Sequence, residues 1–138
     1  MTNAQEMVSV RYIVGNVEEA VAFYTSMLGF HVLTNYPPAF ADVARGRLRL
    51  LLSGPTSSAG RPMPDGTTPT PGGWNRIHLI VDDIEADVVR LRLAGARFRN
   101  DVLSGPGGKQ ILLLDPADNV IELFQPATMG PPQRDPAR

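Results

Sequence analysis

The most constraining feature of this chain is a strand-and-helix pattern that occurs twice. A half-buried strand is predicted by the alternation in V-S-V-R-Y-I-V (8–14) and again in R-I-H-L-I-V (76–81). After each strand, a polar residue suited to an N-cap opens an amphipathic helix and a glycine closes it. These helix-bounding residues are Asn16 and Gly29 in the first half, and Asp83 and Gly95 in the second. Their nearly constant offset indicates an internal duplication.

Short strand candidates follow each predicted helix. They are residues 30–36, 40–44 and 47–53 in the first half, and residues 97–102, 109–115 and 120–124 in the second. The segment P-A-D-N (116–119) predicts a tight turn before the last strand. Each half therefore has the order βαβββ. We expect an α+β fold in which two modules, about 7–53 and 74–126, share one domain over residues 1–138.

Glycine- and proline-rich segments lie outside these modules. Residues 54–73 hold no periodic pattern, so they are interpreted as either a disordered linker or a lid over a site. The segment S-G-P-G-G-K (104–109) lacks the strand–loop–helix context of a phosphate loop and is predicted to be a flexible flap. The proline-rich tail, 127–138, is expected to be loosely ordered.

Composition limits the function classes. The chain of 138 residues has no cysteine, which excludes disulfides, thiolate metal sites and cysteine nucleophiles. Its net charge of -1 gives no reason to expect a nucleic acid or an anionic membrane as partner. No apolar run approaches the roughly 18 residues of a membrane span, and the N-terminus does not have the pattern of a secretory signal. We expect a cytoplasmic protein.

Two segments, together with the paired modules, carry a resemblance to a known family. A-F-Y-T-S-M-L-G-F (22–30) and D-P-A-D-N-V-I-E-L-F (115–124) resemble the vicinal oxygen chelate superfamily. That superfamily includes glyoxalase I, extradiol dioxygenases, fosfomycin-resistance transferases and bleomycin-resistance proteins. The resemblance covers about residues 7–126 and implies a cupped mixed sheet with a small-molecule ligand inside the cup. It also implies a homodimer.

Enzymatic members of this superfamily hold a divalent metal with His and Glu side chains from the first and last strands of the modules. The corresponding positions here are Ser9, Arg49, Arg76 and Glu122. Three of these four are not ordinary ligands of a divalent ion, and the two arginines would repel one. His78 lies two positions beyond Arg76, on the same strand face but about 6.5 Å further along. The resemblance therefore implies a member that has no metal and no other cofactor.

Two interpretations remain for the charged residues at these positions. In the first, Arg76 and Glu122 form an ion pair that fills the former metal centre and mainly orders the cup. In the second, Arg11, Arg49 and Arg76 also direct donors at the ligand, with Ser9 on the same face by strand alternation. Carbonyl, phenolate or carboxylate oxygens would suit such a lining.

Aromatic residues provide candidate walls for a flat ligand. Trp74, the only tryptophan, stands where the long loop meets the strand that carries Arg76. It is interpreted either as a packing anchor for the loop or as a ring that stacks on the ligand. Tyr36 and Phe40 flank Pro37 and Pro38, and they either form a second wall or pair across neighbouring strands.

Two functions fit these residues. The first is a non-catalytic binding protein of the bleomycin-resistance type, which sequesters a flat aromatic or polycyclic molecule such as an antibiotic. The second is a metal-independent lyase or isomerase in which His78 is the general base and an arginine stabilises an oxyanion.

Overall fold

Two βαβββ-like mixed sheets organise the chain, as the duplication predicts. The computed structural model describes residues 6–127, so the tail predicted to be loosely ordered lies outside the described residues apart from Ala127. Tertiary contacts divide the chain into two units. The first runs to Ile77 and includes Leu114–Val120, whereas the second comprises His78–Leu113 and the chain from Ile121.

The first sheet has four strands and one helix. Its elements are β1 (Val8–Ile13), α1 (Val17–Met27), β2 (His31–Tyr36), β3 (Phe40–Arg45) and β4 (Leu48–Ser53). The strands lie in the order β1-β4-β3-β2, with β1 parallel to β4 and the other neighbours antiparallel. Since paired residues in neighbouring strands point to the same side of a sheet, this register decides which side chains share a face.

The second sheet contains five strands. Its elements are β5 (Arg76–Ile80), α2 (Ile84–Leu93), β6 (Arg97–Phe98), β7 (Leu103–Gly105), β8 (Gly108–Leu114) and β9 (Val120–Pro126). The strands lie in the order β5-β9-β8-β6, and β7 pairs with β8. Neither helix within the described residues is long and apolar enough to cross a membrane.

Local capping chemistry fixes the helix ends, as predicted. The side chain of Asn16 accepts a hydrogen bond from the Glu19 backbone N–H at 2.9 Å, and Asp83 accepts one from the Ala86 N–H at 3.1 Å. Gly29 and Gly95 have φ values of 74° and 92°, a left-handed conformation that ends a helix at little cost for glycine. The capping residues therefore fix the boundaries of both helices, and they could be recognised from the sequence.

The apolar side of the first sheet packs against α1, mainly at β3. Leu50 and Leu52 are fully buried there, whereas Leu51 between them is only half-buried, as strand alternation predicts. The predicted helix stripe is buried at most positions. The helical periodicity predicted a stripe of Val17, Ala20, Val21, Tyr24 and Leu28, of which Val21 is only half-buried, and Phe23 outside it is buried. The apolar face of α1 is therefore rotated slightly from the predicted one.

Two buried tyrosines anchor the first unit through their hydroxyl groups. Tyr12 Oη donates to the Val120 carbonyl at 2.6 Å and accepts from the Ile77 N–H at 2.9 Å. Burial raises the pKa of Tyr12 to about 12, because the phenolate would lose its hydration. Tyr24 Oη donates to Asp115 at 2.8 Å, and burial together with this carboxylate raises the pKa of Tyr24 well above its ordinary value.

Asp115 also organises the predicted P-A-D-N turn. Its carboxylate accepts from the backbone N–H groups of Ala117 and Asn119 at 2.8 Å and 2.9 Å, and Asp118 has a φ of 72°. The Asn119 side chain then accepts from the Gly72 N–H at 2.8 Å. The turn is thus as predicted, and it also fixes the end of the long loop.

The predicted second strand of the second module is shorter than expected. Residues 97–102 were predicted as a strand, but β6 ends at Phe98. The Asn100 side chain accepts the Leu112 N–H at 2.9 Å, which replaces a backbone carbonyl as the ladder partner and interrupts pairing. Residues 104–109 lie in a β7–β8 hairpin, in which Ser104 pairs with Lys109, and their action as a flexible flap stays a prediction.

The segment 54–73 contains neither helix nor strand among its described residues, but it has local hydrogen-bonded turns. Ser57 Oγ donates to the Gly54 carbonyl at 2.7 Å and accepts from the Gly60 N–H at 3.0 Å. Met63 N–H donates to the Thr67 carbonyl at 2.7 Å. These turns favour an ordered loop over a disordered linker, while its action as a lid stays a prediction.

Candidate functional site

One face of the first sheet is polar, and Ser9, Arg11 and Arg49 lie on it. Ser9 is paired with Arg49 across β1 and β4, and Arg11 is paired with Leu51. The opposite face of the same strands holds the buried Leu50. We call the first of these faces the polar face; it is formed by Ser9, Arg11, Asp42, Arg49 and Ser53.

Arg11 is exposed and is held by one hydrogen bond at its tip. Its Nη1 donates to the Oγ atom of Ser53 at 2.9 Å, and Ser53 is fully buried. A guanidinium group has five N–H donors, so most of those on Arg11 are left for other acceptors. The hydrogen bond therefore fixes the side chain without using its binding capacity.

Asp42 is a residue of this face that the sequence interpretation missed. Arg49 donates from its Nε to Asp42 Oδ2 at 2.7 Å, and the Asp42 side chain is only 3% exposed. The second oxygen, Oδ1, is buried and has no hydrogen-bond partner among residues 6–127. Alternation in F-A-D-V-A puts Asp42 on the same face as Phe40, so the signal was present in the sequence.

Tyr36 and Phe40 lie at one end of the polar face. They pair with each other across β2 and β3, and Phe40 also pairs with Ser53 of β4. Tyr36 is 69% exposed and Phe40 is half-buried. The two rings thus form a cross-strand pair, and their interpretation as a wall for a ligand stays a prediction.

Trp74 is 67% exposed, and its interpretation as a packing anchor for the loop stays a prediction. It lies two residues before β5, and its backbone carbonyl accepts from Arg76 Nη1 at 3.3 Å. An exposed indole can stack on a planar ligand, so the aromatic-wall interpretation stays a prediction.

In the second unit, His78 and Glu122 face each other. His78 Nε2 lies 3.6 Å from Glu122 Oε2, and the two side chains are 46% and 10% exposed. The His78 ring also lies 5.0 Å from the ring of Phe124, tilted by 35°. This distance is long for a hydrogen bond, so the two groups are in contact without a firm hydrogen bond. The predicted ion pair between Arg76 and Glu122 stays a prediction.

A divalent metal needs several donor side chains that lie close together. Among residues 6–127, no group of three or more His, Asp or Glu side chains lies close enough to hold an ion. His78 and Glu122 supply two donors, whereas a catalytic zinc site uses three protein ligands. The absence of a metal centre stays a prediction.

A cavity in the first unit lies apart from the predicted site residues. It has a volume of about 230 Å³ and lies beside the start of α1, lined by Val14, Asn16, Ala20 and Pro116 among others. None of the predicted site residues lines this cavity. This cavity is therefore separate from the residues of the polar face.

Comparison with protein families gives one match that spans most of the chain. A family model described as Glyoxalase/Bleomycin resistance protein/Dioxygenase superfamily matches residues 6–123. A comparison with curated proteins found no match.

Solved structures give similar folds. A member of the glyoxalase/bleomycin resistance protein/dioxygenase superfamily from Sphaerobacter thermophilus is 27% identical, with a TM-score of 0.70 and coverage of 86% of this chain and 95% of that one. TnmS3, an antibiotic binding protein from Streptomyces sp. CB03234, is 27% identical, with a TM-score of 0.68 and coverage of 92% and 100%. Lactoylglutathione lyase from Agrobacterium tumefaciens is 19% identical, with a TM-score of 0.69 and coverage of 88% and 93%, and shows the fold alone.

Proposed function

Because this chain belongs to the glyoxalase/bleomycin resistance protein/dioxygenase superfamily, we propose that it is a non-catalytic small-molecule-binding protein of the bleomycin-resistance type. Its ligand is a flat aromatic or polycyclic compound, which it sequesters unchanged. The fold alone does not select this function, because the same scaffold hosts many chemistries. The residues of the polar face carry the proposal.

The observation that supports it most is the chemistry of the polar face. Ser9 and Arg49 lie side by side at positions where enzymatic relatives are expected to have metal ligands. Arg11 belongs to the next residue pair on the same face, in which it lies opposite Leu51. Guanidinium groups donate hydrogen bonds and stack on aromatic rings. Such a lining suits carbonyl, phenolate or carboxylate oxygens on a planar ligand, and it repels divalent cations.

We further propose that binding is independent of metal ions. Within the described residues, the donors that lie together are His78 and Glu122, which fall short of a usual site. The positive charge of Arg11 and Arg49 disfavours a second cation near the polar face. The protein therefore needs no cofactor to bind its ligand.

The aromatic side chains support a planar ligand. Tyr36 and Trp74 are 69% and 67% exposed, and Phe40 is half-buried beside Tyr36. Exposed aromatic rings gain stabilisation when a flat molecule covers them. The similarity to TnmS3, described as an antibiotic binding protein, supports antibiotics as one source of such ligands.

An enzymatic alternative has an observation of its own. Glu122 lies 3.6 Å from His78 Nε2, and the imidazole is half exposed, so a substrate can reach it. A carboxylate that orients a histidine is a usual arrangement for a general base. The alternative is a metal-independent lyase or isomerase in which His78 abstracts a proton and an arginine stabilises the resulting oxyanion.

One experiment separates the two functions. Planar compounds, including an anthraquinone carboxylate and an anthracycline, are titrated while the fluorescence of Trp74, the only tryptophan, is followed. The bound compound is then recovered after a long incubation and analysed by mass spectrometry. Binding with quantitative recovery of the unchanged compound supports the binding protein. Conversion that disappears in His78→Gln supports the enzyme instead.

A further inference from the structure

We propose that Asp42 is a positioning residue that presents Arg49 to the ligand, and that this pair selects ligands that carry a carboxylate. The inference rests on the proposed function, because it takes Arg49 as a residue that faces the ligand. It goes further in naming the ligand group and a residue that no motif assigns.

The contact between the two residues fixes the orientation of the guanidinium plane. Arg49 uses its inner nitrogen, Nε, to donate to Asp42 Oδ2 at 2.7 Å, a short hydrogen bond between two charged groups. Asp42 belongs to β3 and is 2% exposed, so its carboxylate is held by the sheet. Because Nε is bound, the guanidinium group cannot turn freely about its side chain.

The outer end of Arg49 is left for a ligand. The Arg49 side chain is 39% exposed, and within residues 6–127 its two terminal nitrogens have no hydrogen-bond partner. Those nitrogens form a planar fork whose two parallel N–H bonds match the two oxygens of a carboxylate. A ligand carboxylate can therefore bind end-on while Asp42 holds the other side of the group.

The unpaired oxygen of Asp42 argues against a purely stabilising role. Asp42 Oδ1 is buried without a partner among the described residues, and a buried unpaired acceptor is costly. Oδ1 is thus left for a group that residues 6–127 do not supply, while Oδ2 keeps Arg49 fixed on the polar face.

Charge and geometry predict opposite effects when Asp42 is replaced. Removing the negative charge beside Arg49 strengthens the attraction of the arginine for any anion. Removing the acceptor of Nε releases the guanidinium group, so the fork is no longer aligned. If Asp42 positions Arg49, the preference for a carboxylate falls in the variants, whereas electrostatics alone makes it rise.

The test uses two probes with the same ring system, anthraquinone-2-carboxylate and anthraquinone-2-carboxamide. We expect the wild type to bind the carboxylate about tenfold or more tighter by calorimetry. Arg49→Lys should lose most of this preference, because an ammonium group has no fork. Arg61→Gln, which removes an exposed loop arginine, is the matched control and should keep it.

The Asp42 variants form a graded series. Asp42→Ala removes the acceptor and should lose the preference, whereas Asp42→Asn retains an amide oxygen for Nε and should restore part of it. The melting temperature of each variant is measured to confirm that it folds. The Nε–Hε NMR signal of Arg49 provides a second reading, since it should exchange slowly with water in the wild type and rapidly in Asp42→Ala.

Benzoate, a single-ring probe, separates this inference from the proposed function. If the anthraquinones do not bind but benzoate shifts the Arg49 signals in the wild type and not in Asp42→Ala, the flat-ligand proposal fails and the inference stands. If carboxylate and carboxamide bind equally, or if both Asp42 variants show a stronger carboxylate preference than the wild type, the inference is overturned and flat-ligand binding stands. If neither the anthraquinones nor benzoate binds, both are overturned.

Discussion

The buried carboxylate of Glu122 lies 3.6 Å from Nε2 of the half-exposed His78. The pair is therefore asymmetric: the carboxylate is shielded from water, whereas the imidazole is not. Arg76, the predicted partner of Glu122, is itself exposed. Loss of Glu122 consequently leaves neither His78 nor Arg76 as a buried, unpaired charge.

We expect Glu122→Ala to lower the free energy of unfolding by about 1–3 kcal/mol. Lost packing of a side chain that is 10% exposed makes this more than a surface ion pair contributes. It should be less than the roughly 3–5 kcal/mol of breaking a fully buried pair. Urea unfolding followed by circular dichroism measures it, with the isosteric Glu122→Gln as control. A loss near zero would place Glu122 in water, contrary to its burial.

Tyr12 predicts a loss of stability at high pH. Burial raises its pKa from 10.0 to about 12, so the folded state holds the phenolic proton more tightly than the unfolded state. The stabilisation is complete below pH 10 and is lost as the pH rises towards about 12. In Tyr12→Phe, which cannot ionise at this position, thermal unfolding should depend less steeply on pH over this interval. Equal slopes for the two proteins would contradict this account.

Tyr12→Phe should also be less stable than the wild type at neutral pH. The variant removes the hydroxyl group that donates to Val120 and accepts from Ile77, so two buried backbone groups lose their partner. A cost of about 1–3 kcal/mol is expected for such a loss. The same unfolding experiment at pH 7 measures it.

The parts of the fold that depend on local chemistry could be predicted from sequence. Asn16 and Asp83 cap their helices through residues three positions away, and Asp115 closes its turn within four positions. The end of β6 could not be predicted, because it depends on the Asn100 side chain taking the N–H of Leu112 from a neighbouring strand. A side chain that takes the place of a backbone partner cannot be recognised without the strand register.

The candidate site shows the same division. Strand alternation placed Ser9, Arg11 and Arg49 on one side of the first sheet, and the register bears this out. Asp42 was missed because its importance depends on a contact with Arg49 across β3 and β4. The exposure of Trp74 could not be predicted either, because a lone aromatic residue beside a loop belongs to no periodic pattern. The assignment of these residues to ligand binding stays a prediction.

We expect the protein to be a two-fold homodimer in solution. The family resemblance is the basis for this expectation, and oligomers with a two-fold axis are the commonest kind. Light scattering at micromolar concentration should give twice the mass of the 15.0 kDa chain. A mass equal to that of one chain across the concentration range would refute it.

Trp74 should contribute to ligand binding but not to assembly. Its ring is 67% exposed, so Trp74→Ala leaves no cavity in the core. We expect the affinity for a planar ligand to fall by about 1–3 kcal/mol, the scale of an aromatic anchor that becomes buried in a complex. Calorimetry measures the change, with Leu93→Ala, an exposed residue at the end of α2, as control. Unchanged affinity would move the ligand away from the start of β5.

The most direct test of the central claim, a ligand bound by arginines without a metal, is a comparison of affinities with and without a strong chelator. The tightest planar ligand is titrated by calorimetry into the wild type and into a variant that carries Arg11→Gln and Arg49→Gln, and the protein is also analysed for bound metal. We predict the same Kd with and without the chelator, and at least about tenfold weaker binding in the variant. Loss of binding in the chelator, or one equivalent of tightly bound transition metal together with full affinity in the variant, would contradict the claim.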